Sequence, residues 1–196
     1  MIHKMKISSI IPISRVNGPG PHYTIWVQGC TLICSDCFNP HTHDTTLGME
    51  KKTSHLLQDI KKYWLKKQII GVTLTGGEPF QQIDEVIQLT KHIKSQTSLG
   101  IIILTGYSPK ELFRLPRIKS VTENIDLIIA GRYRSEFKIQ SGLRGSSNKN
   151  YLYYSDFYKK FVLDEIPLME VITNEVGEII ISGIEPDILL DTLTPE

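Results

Sequence analysis

The sequence has no fourth cysteine. Its three, Cys30, Cys34 and Cys37, all fall within eight positions of a 196-residue chain. An odd number of thiols so close together excludes a disulfide scaffold and fits a reducing compartment, with the cytoplasm as the expected location. Long apolar runs are lacking too: none approaches the roughly 18 residues of a membrane-spanning helix. The opening MIHKMKISSIIPIS carries early positive charge, but its apolar run is short and interrupted by Pro12. No small-residue cleavage site follows, so it does not read as a secretory signal. Net charge is nearly absent, at +1, yet unevenly spread. Residues 131–160 carry seven Lys and Arg against Glu136 and Asp156, whereas residues 161–196 carry nine acidic residues and no basic one. The basic stretch lacks the interleaved aromatics and repeat spacing of a nucleic-acid module, so nucleic-acid binding is not expected. Either the acidic tail packs near it or both are solvated faces. Internal repeats and low-complexity tracts are missing as well.

What is present is a globular composition, 40% hydrophobic and 22% charged, in a chain long enough to bury one ordinary core. Short apolar runs alternate with amphipathic ones. Residues 23–29, 68–77, 100–107 and 125–133 read as buried strands. Residues 54–67 place Leu56, Leu57, Ile60, Tyr63 and Trp64 on one helical face; residues 80–95 repeat the pattern through Ile83, Val86, Ile87 and Ile93. Residues 108–115 predict a short helix with Ser108 as N-cap and Pro109 at its first position. Alternation of this kind predicts an α/β fold of right-handed βαβ units with a mostly parallel sheet covered on both faces. There are too few units for a closed eight-stranded barrel, so an open or partial one is expected. Ligands of such sheets bind beyond the carboxyl ends of the strands. Those ends carry Gln28–Cys30, Thr75–Glu78, Thr105–Tyr107 and Ala130–Arg132.

Beyond residue 134 the character changes. SGLRGSSNKN (141–150) is a polar loop, and residues 169–185 predict a two-stranded hairpin turning near Asn174–Gly177, with the last residues frayed.

Three chemistries use a C-x3-C-x2-C loop. Structural zinc would take the three thiolates plus His41 or His43, although the paired knuckle usual in such sites is missing. A thiol redox pair would be Cys34 and Cys37, which leaves Cys30 without a task. An iron–sulfur cluster is usually held by four thiolates; three on a 4Fe-4S cluster leave one iron open to a substrate or cofactor. After Pro40, an extended segment would send His41 and His43 to opposite sides, so that one could line the site, while the commoner reading makes both ordinary polar loop residues. Tyr107 reads as a packed rim tyrosine. TGGEP (75–79) alone is an ordinary strand-to-helix turn. Beside the cysteine loop its glycines permit close backbone approach, and Glu78 offers a carboxylate to an ammonium.

Together, C-x3-C-x2-C after the first buried strand and TGGEP after the next resemble the radical S-adenosylmethionine (SAM) superfamily. NGPGPHYTIWVQGC (17–30), CFNPHTHD (37–44), TGGEPFQQ (75–82), LTGY (104–107), DLIIAGRY (126–133) and LRGSSNKN (143–150) are similar to the activating enzymes of anaerobic (class III) ribonucleotide reductases, over residues 8–150. The resemblance implies a partial, open parallel βα barrel of radical SAM type with a short C-terminal β-hairpin extension. Residues 1–150 would be the core and 151–196 an extension packed on it. It further implies one 4Fe-4S cluster on Cys30, Cys34 and Cys37, and S-adenosyl-L-methionine held by Gly76, Gly77 and Glu78 at its methionine end. Thr105 and Asp126 are implied to approach SAM. Asp36 stands where many radical SAM enzymes carry an aromatic beside the adenine; here the aromatic is Phe38, as in the activase branch. Asn39 is implied to fix the cluster loop by side-chain hydrogen bonds. The implied activity is reductive cleavage of SAM to a 5′-deoxyadenosyl radical that generates a glycyl radical on a partner protein, with flavodoxin or ferredoxin as electron donor. A small core with an open side favours a protein or peptide substrate. The competing expectations are a stand-alone radical SAM enzyme acting on a peptide or small molecule, and a zinc-binding interaction module. The chain departs from the activase pattern at Pro21–His22, in place of an arginine, and at His43, in place of an aromatic.

Overall fold

A computed structural model describes residues 3–173 and 177–184. The apolar run at 23–29 forms β2 (His22–Val27), buried at every position. It pairs in parallel with β4 (Gly71–Gly76), which pairs with β5 (Gly100–Thr105), which pairs with β6 (Leu127–Ala130). These four strands are the predicted parallel set. Alternate residues go to opposite faces, as a pleated strand requires. Ile101 and Ile103 join one core with Leu56, Ile60, Val86, Leu89 and Ile93, from α1 (Thr53–Leu65) and α2 (Ile83–Gln96). Ile102, Leu127 and Ile129 join a second core with Leu143, Tyr158, Leu163 and Ile166, so irregular chain covers that face. Tyr63, Trp64, Ile83 and Tyr107 are partly buried against the first core. The short α3 (Pro109–Leu112) starts with the predicted Ser108 cap, completed by Glu111 into a reciprocal capping box. A further short helix, α4 (Ile118–Thr122), packs on α2.

The sheet is less parallel than expected. It has seven strands in the order β3-β1-β2-β4-β5-β6-β7 and is open, with β3 (Met49–Lys52) and β7 (Asn150–Tyr153) at its edges. β1 (Lys4–Ser14) runs antiparallel to β2 and β3, and β7 antiparallel to β6. β1 is the N-terminal stretch with no role in the sequence reading. Met5 and Ile7 enter the core while Lys4 and Lys6 do not, an alternation hidden by two register shifts farther along the strand.

The predicted hairpin consists of β8 (Met169–Thr173) and β9 (Ile179–Gly183), paired antiparallel in a sheet of their own. Asn174–Val176, within its predicted turn, and the terminal residues from Glu185 onward lie outside the described residues. The Glu170 carboxylate accepts hydrogen bonds from the Ser14 hydroxyl and the Arg15 backbone N–H, and the Asn17 amide donates to Ser182 Oγ. These bonds tie the hairpin to the segment between β1 and β2.

His22, at the departure from the activase pattern, is fully buried, and burial lowers its imidazole to about 3. The Thr73 hydroxyl donates to the Asn17 carbonyl at 2.6 Å, so His22 Nδ1–H donates to Thr73 Oγ1 at 2.8 Å. The neutral ring thus fixes the loop before β2. Among the described residues no helix is long and apolar enough to cross a membrane.

Candidate functional site

Register brings the carboxyl ends of the parallel strands to one rim: Val27 lies opposite Gly76, and Thr105 opposite Ala130. At that rim a cleft open to solvent is lined by Cys30, Cys34 and Cys37 together with Gly76, Gly77 and Thr105. Phe38 and Asn39 line it as well. The cysteine loop, the double glycine and Thr105, which sequence grouped into one site, are therefore neighbours in space.

Backbone bonds hold the cysteine loop. Gly29 N–H donates to Thr42 O and Cys30 N–H to His43 O, closing the loop on itself, while Gln28 Nε2 donates to the His41 and Asp44 carbonyls. The double glycine then presses the loop against the next strand. A Cβ on Gly77 would come within 2.4 Å of Gly29 O, and one on Gly76 within 2.8 Å of Trp26 Cα. Gly77 N–H donates to Val27 O and Glu78 N–H to Gly29 O, each at 2.9 Å. What the glycines permit is approach of one backbone to another, one residue before the first cysteine.

Glu78 is wholly buried. Its carboxylate accepts from Thr105 Oγ1 at 2.8 Å, Gly106 N at 2.8 Å and Phe80 N at 3.0 Å. Burial outweighs these bonds and raises the carboxyl to about 7. Glu78 therefore ties the ends of β4 and β5 together, and its carboxylate is occupied by protein donors rather than directed at the open cleft. Asn39 steadies the loop through its backbone: its N–H points to Cys37 Sγ at 3.4 Å and its carbonyl accepts from Thr42 N–H and Oγ1.

Besides Glu78, two expected residues do not line the cleft. Asp126 sits at the amino end of β6, the opposite end of the sheet. There it pairs with Lys94 at 2.9 Å and accepts from Ile101 N–H and Ser155 Oγ. A buried carboxylate so fully engaged is structural. Asp36 is exposed and accepts from Ser135 Oγ at 2.8 Å, outside the cleft wall. Phe38 takes the aromatic position, its ring centroid 3.8 Å from that of Tyr133.

Other lining groups were missed. Pro40–Thr42 is a 3-10 turn, not extended chain. It leaves His41 exposed and brings His43 into the cleft, with its Nε2 buried and lacking a hydrogen-bond partner among the described residues. Lys149, from the polar loop, also lines the cleft; desolvation lowers its ammonium to about 8. Gly183 and Ile184 bring the end of the hairpin to the same wall. A side chain in a polar loop carries no periodic signal, so neither lysine nor hairpin was assignable to the site before the fold was known.

The basic stretch is not one surface. Arg132 forms a bidentate pair with Glu111, which holds that carboxyl down at about 2, and Arg144 pairs with Asp164 from the acidic tail.

Burial raises all three thiols above the usual range. They would be protonated when free, and a bound metal would displace those protons. Among the described residues no group of three or more His, Cys, Asp and Glu side chains is already gathered closely enough to hold a metal ion. Three thiols lining one cleft, with the unpartnered Nε2 of His43 in the same lining, are a donor set that an iron–sulfur cluster or a zinc ion could use.

Comparison with known proteins agrees with that donor set. Residues 16–152 match the family model described as a 4Fe-4S single cluster domain. Relatives named anaerobic ribonucleoside-triphosphate reductase-activating protein include that of Enterobacteria phage T4, 31% identical over 148 residues, covering 74% of this chain and 92% of the relative. Those of Pasteurella multocida and Vibrio cholerae are 32% and 31% identical. They cover 70% and 74% of this chain, and 90% and 96% of their own length. The chain therefore belongs to the 4Fe-4S single cluster domain family and groups with these activating proteins.

Proposed function

We propose that the protein is a radical SAM activase of an anaerobic ribonucleotide reductase. The observation that carries this reading is the meeting of Cys30, Cys34 and Cys37 with the Gly76–Gly77 strand end in one cleft, in a chain whose relatives are named as activating proteins of that reductase. Cys30, Cys34 and Cys37 would hold a 4Fe-4S cluster, and with an electron from flavodoxin or ferredoxin that group would supply the one-electron chemistry for reductive cleavage of SAM to methionine and a 5′-deoxyadenosyl radical, which would take a hydrogen from a glycine of the partner. In this reading the open sheet is the partial βα barrel of that superfamily, with residues 1–150 as core and 151–196 as an extension resting on it.

The chain's own residues do the binding and orienting. The thiols of the cysteine loop give up their protons to become ligands. The backbone around Gly76 and Gly77 offers polar groups to the methionine end of SAM. Phe38, backed by Tyr133, offers a flat apolar face to the adenine. Glu78 acts indirectly, holding the Thr105–Gly106 turn against the strand that bears the glycines. Ile184 and Gly183 form part of the cleft wall. Cytoplasmic conditions, reducing and supplied with low-potential electron carriers, suit this chemistry.

The test is anaerobic incubation of the reconstituted, reduced protein with SAM and a class III reductase, followed by electron paramagnetic resonance. A glycyl-radical doublet on the reductase is expected. SAM cleavage without that doublet would point to a stand-alone enzyme with another substrate. A zinc-loaded protein inert toward SAM would point to an interaction module.

A further inference from the structure

The arginines that flank the cleft are paired with acidic side chains. Arg132 is held by Glu111 and Arg144 by Asp164. Lys149 instead turns into the cleft, its ammonium 6.0 Å from the Tyr133 ring centroid, and no acidic side chain among the described residues pairs with it. Glu78 is within electrostatic reach, but its carboxylate is already enclosed by Thr105, Gly106 and Phe80. The other groups whose charge acts on Lys149 are Cys34 and Cys37. A desolvated ammonium without a counter-ion is costly, and the cost disappears when an anion arrives beside it.

We propose that Lys149 is the fixed counter-charge of the iron–sulfur cluster and raises its reduction potential. The inference rests on the function proposed above. Three thiolates make the clustered iron and sulfide anionic, and the electron delivered by the external donor makes it more so. A cation lining the same cleft as the three ligands stabilises the reduced state more than the oxidised one. Charge close to a cluster is one of the levers that set its potential. Tyr133 keeps the ammonium on the cleft side, and the loop carrying Lys149 is anchored by its backbone N–H to Ser146 O and by Asn148 Nδ2 to Arg132 O. Lys149 is thus a positioning and tuning residue that leaves ligation to the cysteines.

Full-length wild type, K149M, K149Q and K149R would be reconstituted anaerobically and assayed for iron and sulfide. Each would then be titrated potentiometrically with dithionite and mediators, without SAM, while the reduced-cluster resonance is followed. Both neutral variants should load iron as the wild type does and become at least tenfold harder to reduce, a shift of about 59 mV for one electron. K149R should recover most of the difference. Neutral variants with the wild-type potential overturn the inference while leaving the cluster in place. So does an unchanged potential accompanied by tenfold weaker SAM binding, which would assign the ammonium to the carboxylate of SAM. A wild-type chain that takes up no iron overturns the proposed function, and this inference with it.

Discussion

Raising the pH from 5 to 8 should cost the metal-free protein about 2.5 kcal/mol of stability through Glu78 alone. The carboxyl is wholly buried and raised to about 7 by desolvation, against an ordinary value of 4.5. At pH 5 the folded protein keeps this proton while the unfolded chain has largely released it, so the fold is favoured. By pH 8 both states are ionised and the advantage is gone. The stabilisation is therefore present below the unfolded pKa and is lost as pH rises through the folded one, opposite to an ordinary salt-bridged carboxylate. Glu78→Gln keeps the volume but cannot titrate, so its stability should lack this component. Its amide would also turn a donor toward one of the backbone N–H groups at Phe80 or Gly106, a pH-independent loss of about 1–3 kcal/mol. Urea denaturation of both proteins at pH 5 and pH 8, at equal ionic strength, isolates the effect, because the other titrating groups are common to both. A double difference near zero, or a wild type that gains stability over Glu78→Gln as pH rises, would show that the carboxylate is already ionised at pH 5 and refute the reasoning.

Gly77→Ala should lose about 1–3 kcal/mol, because the new Cβ meets the Gly29 backbone and not a side chain that can move. Iron uptake should fall with it, since Gly29 precedes Cys30; wild-type urea midpoints and iron content would contradict this. The buried thiols predict that cluster binding strengthens between pH 7 and 9, as their protons become easier to displace; a loading equilibrium indifferent to pH would count against them. Glu170→Ala removes the acceptor for Ser14 and Arg15, which should lower the local opening free energy of the hairpin by about 1–3 kcal/mol. Amide exchange across 169–173 and 179–183 reads this directly, and unchanged protection would place the anchor elsewhere.

The parallel centre of the sheet was legible because β2, β4, β5 and β6 are buried on both faces and so read as continuous apolar runs. The two long helices were legible from their apolar stripes, and α3 from the chemistry of its cap. Edge strands were not. Glu50–Lys52 of β3 has no strand propensity and is held by backbone pairing to β1, a partner far away in sequence. At the site, local spacing brought the three cysteines and the glycines together, because one loop and one strand end carry them. Asp126 was misplaced because a carboxylate beside a strand reads the same at either end of it. His43 reaches the cleft through the local 3-10 turn after Pro40, whereas Lys149 and Ile184 reach it only through long-range packing, which no local pattern encodes.

The most direct measurement is 5′-deoxyadenosine, quantified by mass spectrometry after the anaerobically reconstituted, reduced protein meets SAM. Formation of the nucleoside by the wild type, and its loss in Cys34→Ala, is the expected result. A fully iron-loaded protein that leaves SAM intact, or a colourless one holding zinc through Cys30, Cys34, Cys37 and a histidine, would contradict it.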